Sequence, residues 1–509
     1  MKSLQHKVLL ALASITGILT ACQPAPEEQP RKVQKEVILI HTGRMMGNVF
    51  PLSLMGRDIA PLQYYQFIAG YVEAVRRDAA LRGATVFLID SGDGLQGSFA
   101  SKVTGCANMV EFYNALGYDA VILGNLDAAV RPEQLTALRA QLFVPFVTAD
   151  GEPGFPGAKN HGIITKDGVS LAILANFHGE LDYSQKPDQF PSYFAGDINR
   201  VVFPFRQHKQ ALAELKSQNP DYIVFNWFKF ESPNEAPKIV SEIADAGVDL
   251  ITAHRIYSRS RIDTWASSSY NWPLPVSENT QRANNGYVIA RVDFGRDEND
   301  RLLVTKAPTR ITMDKNSLDT MGASPDAKVP AMMEKFAPTL LEANQTLGTL
   351  SASLDEDCIL NIYLNSLTRR YPGCVALYST QSIRAPWPSG PLTSARIFEA
   401  LPWLTPTVQV RLTPEQLAAL SKNENFRTLG EPSDPQSPAL ITSAFFGILL
   451  KREFNLPADA MTVVSDIPEA DSFTEWLGQN PDALGEHFSP ANSNTQNEIT
   501  LNTNHETIH

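Results

Sequence analysis

The sequence predicts an α/β fold, and two observations carry that expectation. Short apolar runs at 37–40, 84–89, 120–123, 143–147, 170–175, 222–225 and 250–251 alternate with longer stretches of helical or loop character, the pattern of sheets covered by helices. Several of these runs end in Gly, Asp, Asn or His, in the loops where open α/β sheets place their ligands. With 509 residues, 43% of them hydrophobic, the chain can bury roughly two or three domains.

Taken in order, the N-terminus comes first. Lys2 and Lys7 precede an apolar stretch over 8–19 that is too short to span a bilayer and has the layout of a secretory signal. Leu19-Thr20-Ala21-Cys22 closes it and resembles the bacterial lipobox, which implies a signal peptide over 1–21 and lipidation of Cys22. An ordinary cleaved signal with an incidental cysteine is the alternative. Gln23, rather than Asp, follows Cys22, so the expected address is the periplasm, anchored to the outer membrane rather than the inner. Residues 22–35, rich in Pro, Glu and Gln, read as a flexible tether.

The formal charge is −12, and removing residues 1–21 with their two lysines takes it to −14. Such an acidic chain argues against nucleic acid as a partner. Four cysteines are too few for a disulfide framework, and with Cys22 lipidated at most one pair forms among Cys106, Cys358 and Cys374. A bridge between Cys358 and Cys374 suits an oxidising compartment; two unpaired thiols fit equally well.

Further along, 293–300 with Gly295 reads as a hairpin turn and 307–326 as a connector. A second pattern starts at 326 with a helix-like segment over 329–347 that Pro338 is expected to kink. The expected organisation is a first domain over 36–315, a linker over 316–325, a second domain over 326–486 and a tail over 487–509. The tail, at 489–509, has little apolar content and reads as disordered.

Three blocks in the first half carry a family resemblance. They are Val37-Ile-Leu-Ile-His-Thr-Gly-Arg-Met-Met-Gly47, Phe87-Leu-Ile-Asp-Ser-Gly-Asp-Gly-Leu-Gln-Gly97 and Asn114-Ala-Leu-Gly-Tyr-Asp-Ala-Val-Ile-Leu-Gly-Asn125. In the second half, Ser382-Ile-Arg-Ala-Pro386, Gly390-Pro-Leu-Thr393 and Ile397-Phe-Glu-Ala-Leu-Pro402 add to it. Together they resemble the bacterial periplasmic 5'-nucleotidase and UDP-sugar hydrolase family, over nearly all of 36–480. The resemblance implies a calcineurin-like metallophosphoesterase domain, a four-layer α/β sandwich, followed by an α+β substrate domain like the family's C-terminal one.

That family's chemistry needs two cations about 3.5 to 4 Å apart, held by carboxylates and imidazoles, and this sequence departs from the pattern at most of those positions. Where the family's first strand ends in Asp-x-His, the chain has Arg44-Met45-Met46. Arg44 is a fixed cation that repels the metal. The catalytic histidine of Gly-Asn-His-Glu is Leu126 in Gly124-Asn125-Leu126-Asp127. Asp93 and Asn125 match retained ligands. The histidine expected after 222–225 falls on Trp227 or Phe228, and the Gly-Gly-His-x-His after 249–251 puts Arg255 and Tyr257 at its histidines, with His254 one residue away. Two metals are therefore not expected. Asp93 and Asn125 read either as loop-capping residues or as remnants holding one weakly bound cation. His41 ends an apolar strand and reads as a satisfied core histidine; His161, His178 and His208 match no motif.

Arg44 and Asp93 sit where a metal would join their loops, so a guanidinium–carboxylate pair is expected in its place. In the second domain, Arg384 matches a phosphate-binding arginine of the family, and Trp403 with Phe446, or its neighbour Phe445, matches the pair of aromatics that holds the base. Ser379-Thr380-Gln381-Ser382 stands in place of a glycine-rich loop, and Gly447-Ile448-Leu449 in place of the family's Gly-Gly-Asp, so the aspartate that the resemblance implies for ribose recognition is missing. Two readings follow. One is a catalytically inactive lipoprotein, without catalytic residues or cofactor, that binds a periplasmic protein or a nucleotide-like small molecule. The other is a phosphoester hydrolase with a partial site holding Mn or Zn.

Overall fold

The computed structural model describes residues 34–47, 61–124, 127, 130, 132–147, 161–176, 209–227, 236–253, 276–278, 288–313, 315–380 and 382–490. Its first domain is built on two sheets. In one, β1 (Gln34–Thr42), β2 (Thr85–Asp90), β3 (Ala120–Ile122) and β4 (Phe146–Val147) run parallel. The β10–β11 hairpin (Val288–Arg296, Leu302–Thr312) adds antiparallel on the other side of β1, which gives the order β11-β10-β1-β2-β3-β4. In the second sheet β5 (His161–Lys166) is antiparallel to β6 (Val169–Asn176), and β6, β7 (Tyr222–Trp227), β8 (Leu250–Ala253) and β9 (Val276–Glu278) are parallel. These five strands lie side by side in chain order.

Side chains alternate between faces along each strand, and three apolar layers result. Val37, Leu39, Phe87 and Ile89 of the first sheet meet Leu171, Ile173, Tyr222 and Val224 of the second, between the sheets. Ile38, Ile40, Val86 and Leu88 face outward onto the helices Pro61–Arg82, Ala107–Leu116 and Pro132–Gln141. Leu174, Ile223, Phe225 and Ile251 face the helices Lys209–Ser217 and Ala236–Asp245. This is the four-layer α/β sandwich that the sequence resemblance implies.

The strands of the second domain are β12 (Thr346–Leu350), β13 (Val375–Ser379), β14 (Gly390–Thr393), β15 (Thr407–Arg411), β16 (Phe426–Leu429), β17 (Ala439–Ser443), β18 (Met461–Ser465) and β19 (Phe488–Pro490). They form a five-stranded mixed sheet, β16-β13-β17-β15-β18, and a three-stranded sheet, β14-β12-β19. The helix Glu356–Arg370 and the helix Ala444–Glu453 pack their apolar faces into this domain's core. Asp355 caps the first of these by accepting from the Cys358 N–H at 2.8 Å.

Several local expectations are corrected. The segment 329–347 is two helices, Lys328–Glu334 and Ala337–Ala343, and Thr346 and Leu347 already belong to β12. Pro338 sits in the first turn of the second helix, where its missing N–H costs nothing, so it starts a helix instead of kinking one. The turn of the β10–β11 hairpin is 297–301: Gly295 lies inside β10 opposite Leu303, and the Asp297 carboxylate accepts the N–H groups of Asn299 and Arg301. The expected connector over 307–326 contains the end of β11 and the helix Lys315–Thr320. Phe488, Ser489 and Pro490 form β19 against β12, so the first residues of the expected disordered tail are a strand. Residues 491–509 lie outside the described residues.

Candidate functional site: the loops at the strand ends

The first three parallel strands deliver their loops to one end of the first sheet. After β1 and β2 the two loops are laced backbone to backbone: Ser91 N–H to Thr42 O at 2.8 Å, Arg44 N–H to Gly92 O at 2.7 Å, Met46 N–H to Asp93 O at 2.9 Å and Gly47 N–H to Gly94 O at 2.9 Å. Holding this register requires left-handed backbone at Arg44 (φ 50), Met46 (φ 50) and Asp93 (φ 55), a conformation that costs roughly 1 kcal/mol or more for residues with a Cβ. The structure thus brings the backbones of Arg44 and Asp93 to the same loop junction. Arg44 is half-buried and Asp93 is buried.

Two further aspartates, whose roles the sequence reading missed, organise this junction. Asp90 ends β2 fully buried and accepts from the Thr42 hydroxyl at 2.8 Å and the Gly92 N–H at 2.9 Å. Burial pushes its carboxyl up to about 7, and the charge of Asp93 adds to the rise. Asp127, also fully buried, accepts the N–H groups of Leu95 at 2.9 Å and Gly124 at 2.8 Å. It ties the loop after β2 to the loop after β3. Burial raises its carboxyl well above the usual range, with Asp93 and then Asp90 as the acidic neighbours that raise it further. The signal was in the sequence: each aspartate ends or closely follows an apolar strand.

Below the loops a polar network joins the two sheets. His41 Nδ1 lies 2.9 Å from the Ser91 hydroxyl, Asn226 Nδ2 donates to Ser91 O at 3.3 Å, and Thr252 Oγ1 donates to Asn226 Oδ1 at 2.9 Å. All four residues are fully buried. His41 is therefore the satisfied core histidine that its position suggests. Trp227, one candidate for the lost histidine position, packs in the outer core of the second sheet. His161, at the start of β5, lies 3.6 Å from Glu214. Cys22, Asn125, Leu126, His178, His208, Phe228, His254, Arg255 and Tyr257 lie outside the described residues.

In the second domain Arg384 and Trp403 meet. The guanidinium lies 4.9 Å from the indole ring centre, within cation–π range, and the Arg384 N–H is fixed to Ala400 O at 2.8 Å. Arg384 is exposed and Trp403 half-buried. The indole Nε1 of Trp403 is buried with no hydrogen-bond partner among the described residues. Of the two aromatic candidates for the second position, Phe446 is buried among Tyr378 at 5.1 Å, Phe426 at 5.8 Å and Phe445 at 5.1 Å. Phe445 is the half-buried member of the pair. Gly447 has a packing reason, since a Cβ there would meet Val408 Cγ2 at 2.6 Å. Cys106, Cys358 and Cys374 are all free thiols.

The sequence matches no protein-family model and no curated protein. Among solved structures the chain is similar to a putative 5'-nucleotidase from Staphylococcus aureus, at 14% identity and a TM-score of 0.62 over 89% of this chain and 98% of that one. It is similar to a 5'-nucleotidase precursor from Thermus thermophilus, at 16% identity and a TM-score of 0.60 over 87% of this chain and 96% of that one. The sulfate thiohydrolase SoxB from the same genus gives 14% identity and a TM-score of 0.55 over 89% and 95%. The chain has the 5'-nucleotidase fold. Both domains take part in the match, because the shared coverage leaves little of either chain outside it.

A 5'-nucleotidase fold raises the question of whether the side chains present suit a metal pair. Among the described residues, no three His, Cys, Asp or Glu side chains are grouped so as to hold a cation. Asp90, Asp93 and Asp127 are close enough for their charges to act on one another, yet Asp90 and Asp127 already accept two hydrogen bonds each from the end of β1 and the surrounding loops. The described donors therefore do not fit a dinuclear centre, which needs carboxylates and imidazoles directed at shared cations.

Proposed function

We propose that this protein is a catalytically inactive member of the 5'-nucleotidase-like phosphoesterases, lipid-anchored through Cys22 and acting as a periplasmic binding or scaffold protein. The observation that carries the reading is Arg44. An arginine, whose guanidinium stays charged at any physiological pH, is bonded through its backbone to the loop that carries Asp93, at the position where a metal ligand stands in the family that the sequence resembles. Leu126 adds to it, because a leucine neither donates to a phosphate oxygen nor transfers a proton. Asp90 and Asp127 support it as well, since both serve the backbone of the loops. The outer-membrane anchor rests on the lipobox-like Leu19-Thr20-Ala21-Cys22 and on Gln23 after it.

The second domain is the more favourable place for a ligand in this reading. Arg384 offers charge, and the Trp403 indole offers a face and a buried N–H donor, which suits a nucleotide-like small molecule or an acidic aromatic group of a partner protein. Phe445 replaces Phe446 as the second aromatic candidate. A hydrolase assay tests the first claim. The purified protein, supplied with Mn or Zn, should not hydrolyse AMP, UDP-glucose or p-nitrophenyl phosphate above background. Hydrolysis that disappears in Asp93→Ala would establish an active site with ligands drawn from elsewhere in the chain, and would remove the inactive reading.

A further inference from the structure

The helix Glu469–Gln479 carries a buried acid at its first position and an interdomain contact two residues later. Glu469 is 1% exposed. Its Oε2 accepts from the Tyr378 hydroxyl at 2.5 Å and the Tyr363 hydroxyl at 3.1 Å, and its Oε1 accepts from the Thr405 hydroxyl at 2.7 Å. The Glu469 N–H is bonded to Thr405 O at 3.1 Å. The next residue, Ala470, is part of the first domain's outer core, together with Ala395 and Phe398 of the helix Ser394–Ala400. Asp471 then forms an ion pair with Lys102 of the helix Phe99–Thr104 in the first domain. Lys102 also lies 5.4 Å from the centre of the Phe398 ring, which meets Phe99 edge-on at 6.3 Å. Three consecutive residues thus join the interior of one domain to the surface of the other.

We infer that the Glu469 cluster is a proton-sensitive clasp, in which a neutral Glu469 seats the first turn of its helix and so holds the Ala470 and Asp471 contacts to the first domain, while an ionised Glu469 loosens them. The groups that face the acid are few. The helix Glu356–Arg370 presents Tyr363 and, further off, Arg370, whose charge favours the carboxylate. Strand β13 presents Tyr378, and the segment before β15 presents Thr405. The packed helix Ser394–Ala400 carries Arg396 and Glu399, and Arg396 is turned to Pro388 O at 3.2 Å. On the clasp helix itself, Asp471 is committed to Lys102, and Ser472 to Arg370. No cation forms an ion pair with Glu469 among the described residues, so an ionised Glu469 is a buried charge balanced by its three hydroxyl donors without a counter-ion. Burial pushes the Glu469 carboxyl up to about 7, against hydroxyl bonds that favour the charged form. The folded value lies above the usual one, so the seated state is favoured fully below about pH 4.5 and loses that advantage as pH rises through about 7.

Hydrogen–deuterium exchange of the full chain, corrected for the intrinsic pH dependence of exchange, reads the clasp on both sides. Between pH 5 and pH 8, protection at 469–479 and at 99–104 should fall together, on the order of tenfold or more, and Glu469→Gln should abolish the fall in both segments. A parent profile that is flat, or that matches Glu469→Gln, overturns the inference. So does a fall confined to 469–479, since it would leave the domain contact out. If Glu469→Gln does not fold, Tyr378→Phe serves instead. Removing a donor to the carboxylate makes ionisation costlier and should extend the fall to higher pH; an unchanged midpoint overturns the inference.

Discussion

Replacing Asp90 by asparagine keeps the shape of the side chain and an oxygen acceptor for the Gly92 N–H, turns the atom beside the Thr42 hydroxyl into a donor, and removes the charge. In the native fold the carboxyl is raised from 3.8 to about 7 by burial and by its acidic neighbour Asp93. That shift of roughly three units, at about 1.4 kcal/mol each, is worth about 4 kcal/mol. The direction follows from proton linkage. A carboxyl whose folded value is raised binds its proton more tightly in the folded state, so its contribution to stability is whole below about pH 4 and is lost as pH climbs towards 7. Asp90→Asn has no such proton to lose. Urea denaturation of parent and mutant between pH 4 and pH 8 should therefore show the mutant gaining on the parent by about 4 kcal/mol across the range, whatever their offset at pH 4. A difference that does not change with pH would refute the reasoning. A parent that instead gains on the mutant as pH rises would show Asp90 ionised and favourably paired, the behaviour expected beside a bound cation.

Two other outcomes are expected. Arg44→Ala should strand the buried Asp93 carboxylate and destabilise the fold by on the order of 3 kcal/mol, and the double change with Asp93→Asn should restore much of it; additive effects in the double-mutant cycle would mean that the two side chains do not act on each other. If the second domain retains a nucleotide-like ligand, Trp403→Ala should weaken binding by roughly 1 to 3 kcal/mol, the range for one stacked base, and calorimetric titration of AMP into parent and mutant measures it, with equal affinities showing that the indole carries nothing.

Much of the fold was legible because buried parallel strands are written as uninterrupted apolar runs. Each of the runs read as strands overlaps one in the structure. What escaped was polar. Strand β10 carries Arg291 and Asp293, which look like surface residues, yet they form a buried pair with two 2.6 Å hydrogen bonds. Strand β11 runs along the sheet edge, with Thr305, Lys306 and Ala307 exposed, so no apolar period marks it. The candidate site divides the same way. The meeting of the Arg44 and Asp93 loops followed from motif order, because strand ends in a parallel sheet bring their loops together. The His41–Ser91–Asn226–Thr252 network did not, since its members are scattered over more than half of the first domain and nothing local marks them as partners. Phe445 and Phe446 could not be told apart for a related reason. Adjacent aromatics on a helix point to different faces, and the sequence does not say which of Phe445 and Phe446 faces the sheet.

Whether these loops hold cations separates an inactive protein from a phosphoesterase, and metal content measures that directly. The purified full chain, equilibrated with Mn and Zn, freed of excess by dialysis and analysed by plasma mass spectrometry, should retain well under one metal ion per chain. Retention of about two per chain, lost in Asp93→Ala, would contradict the account and restore a dinuclear phosphoesterase centre.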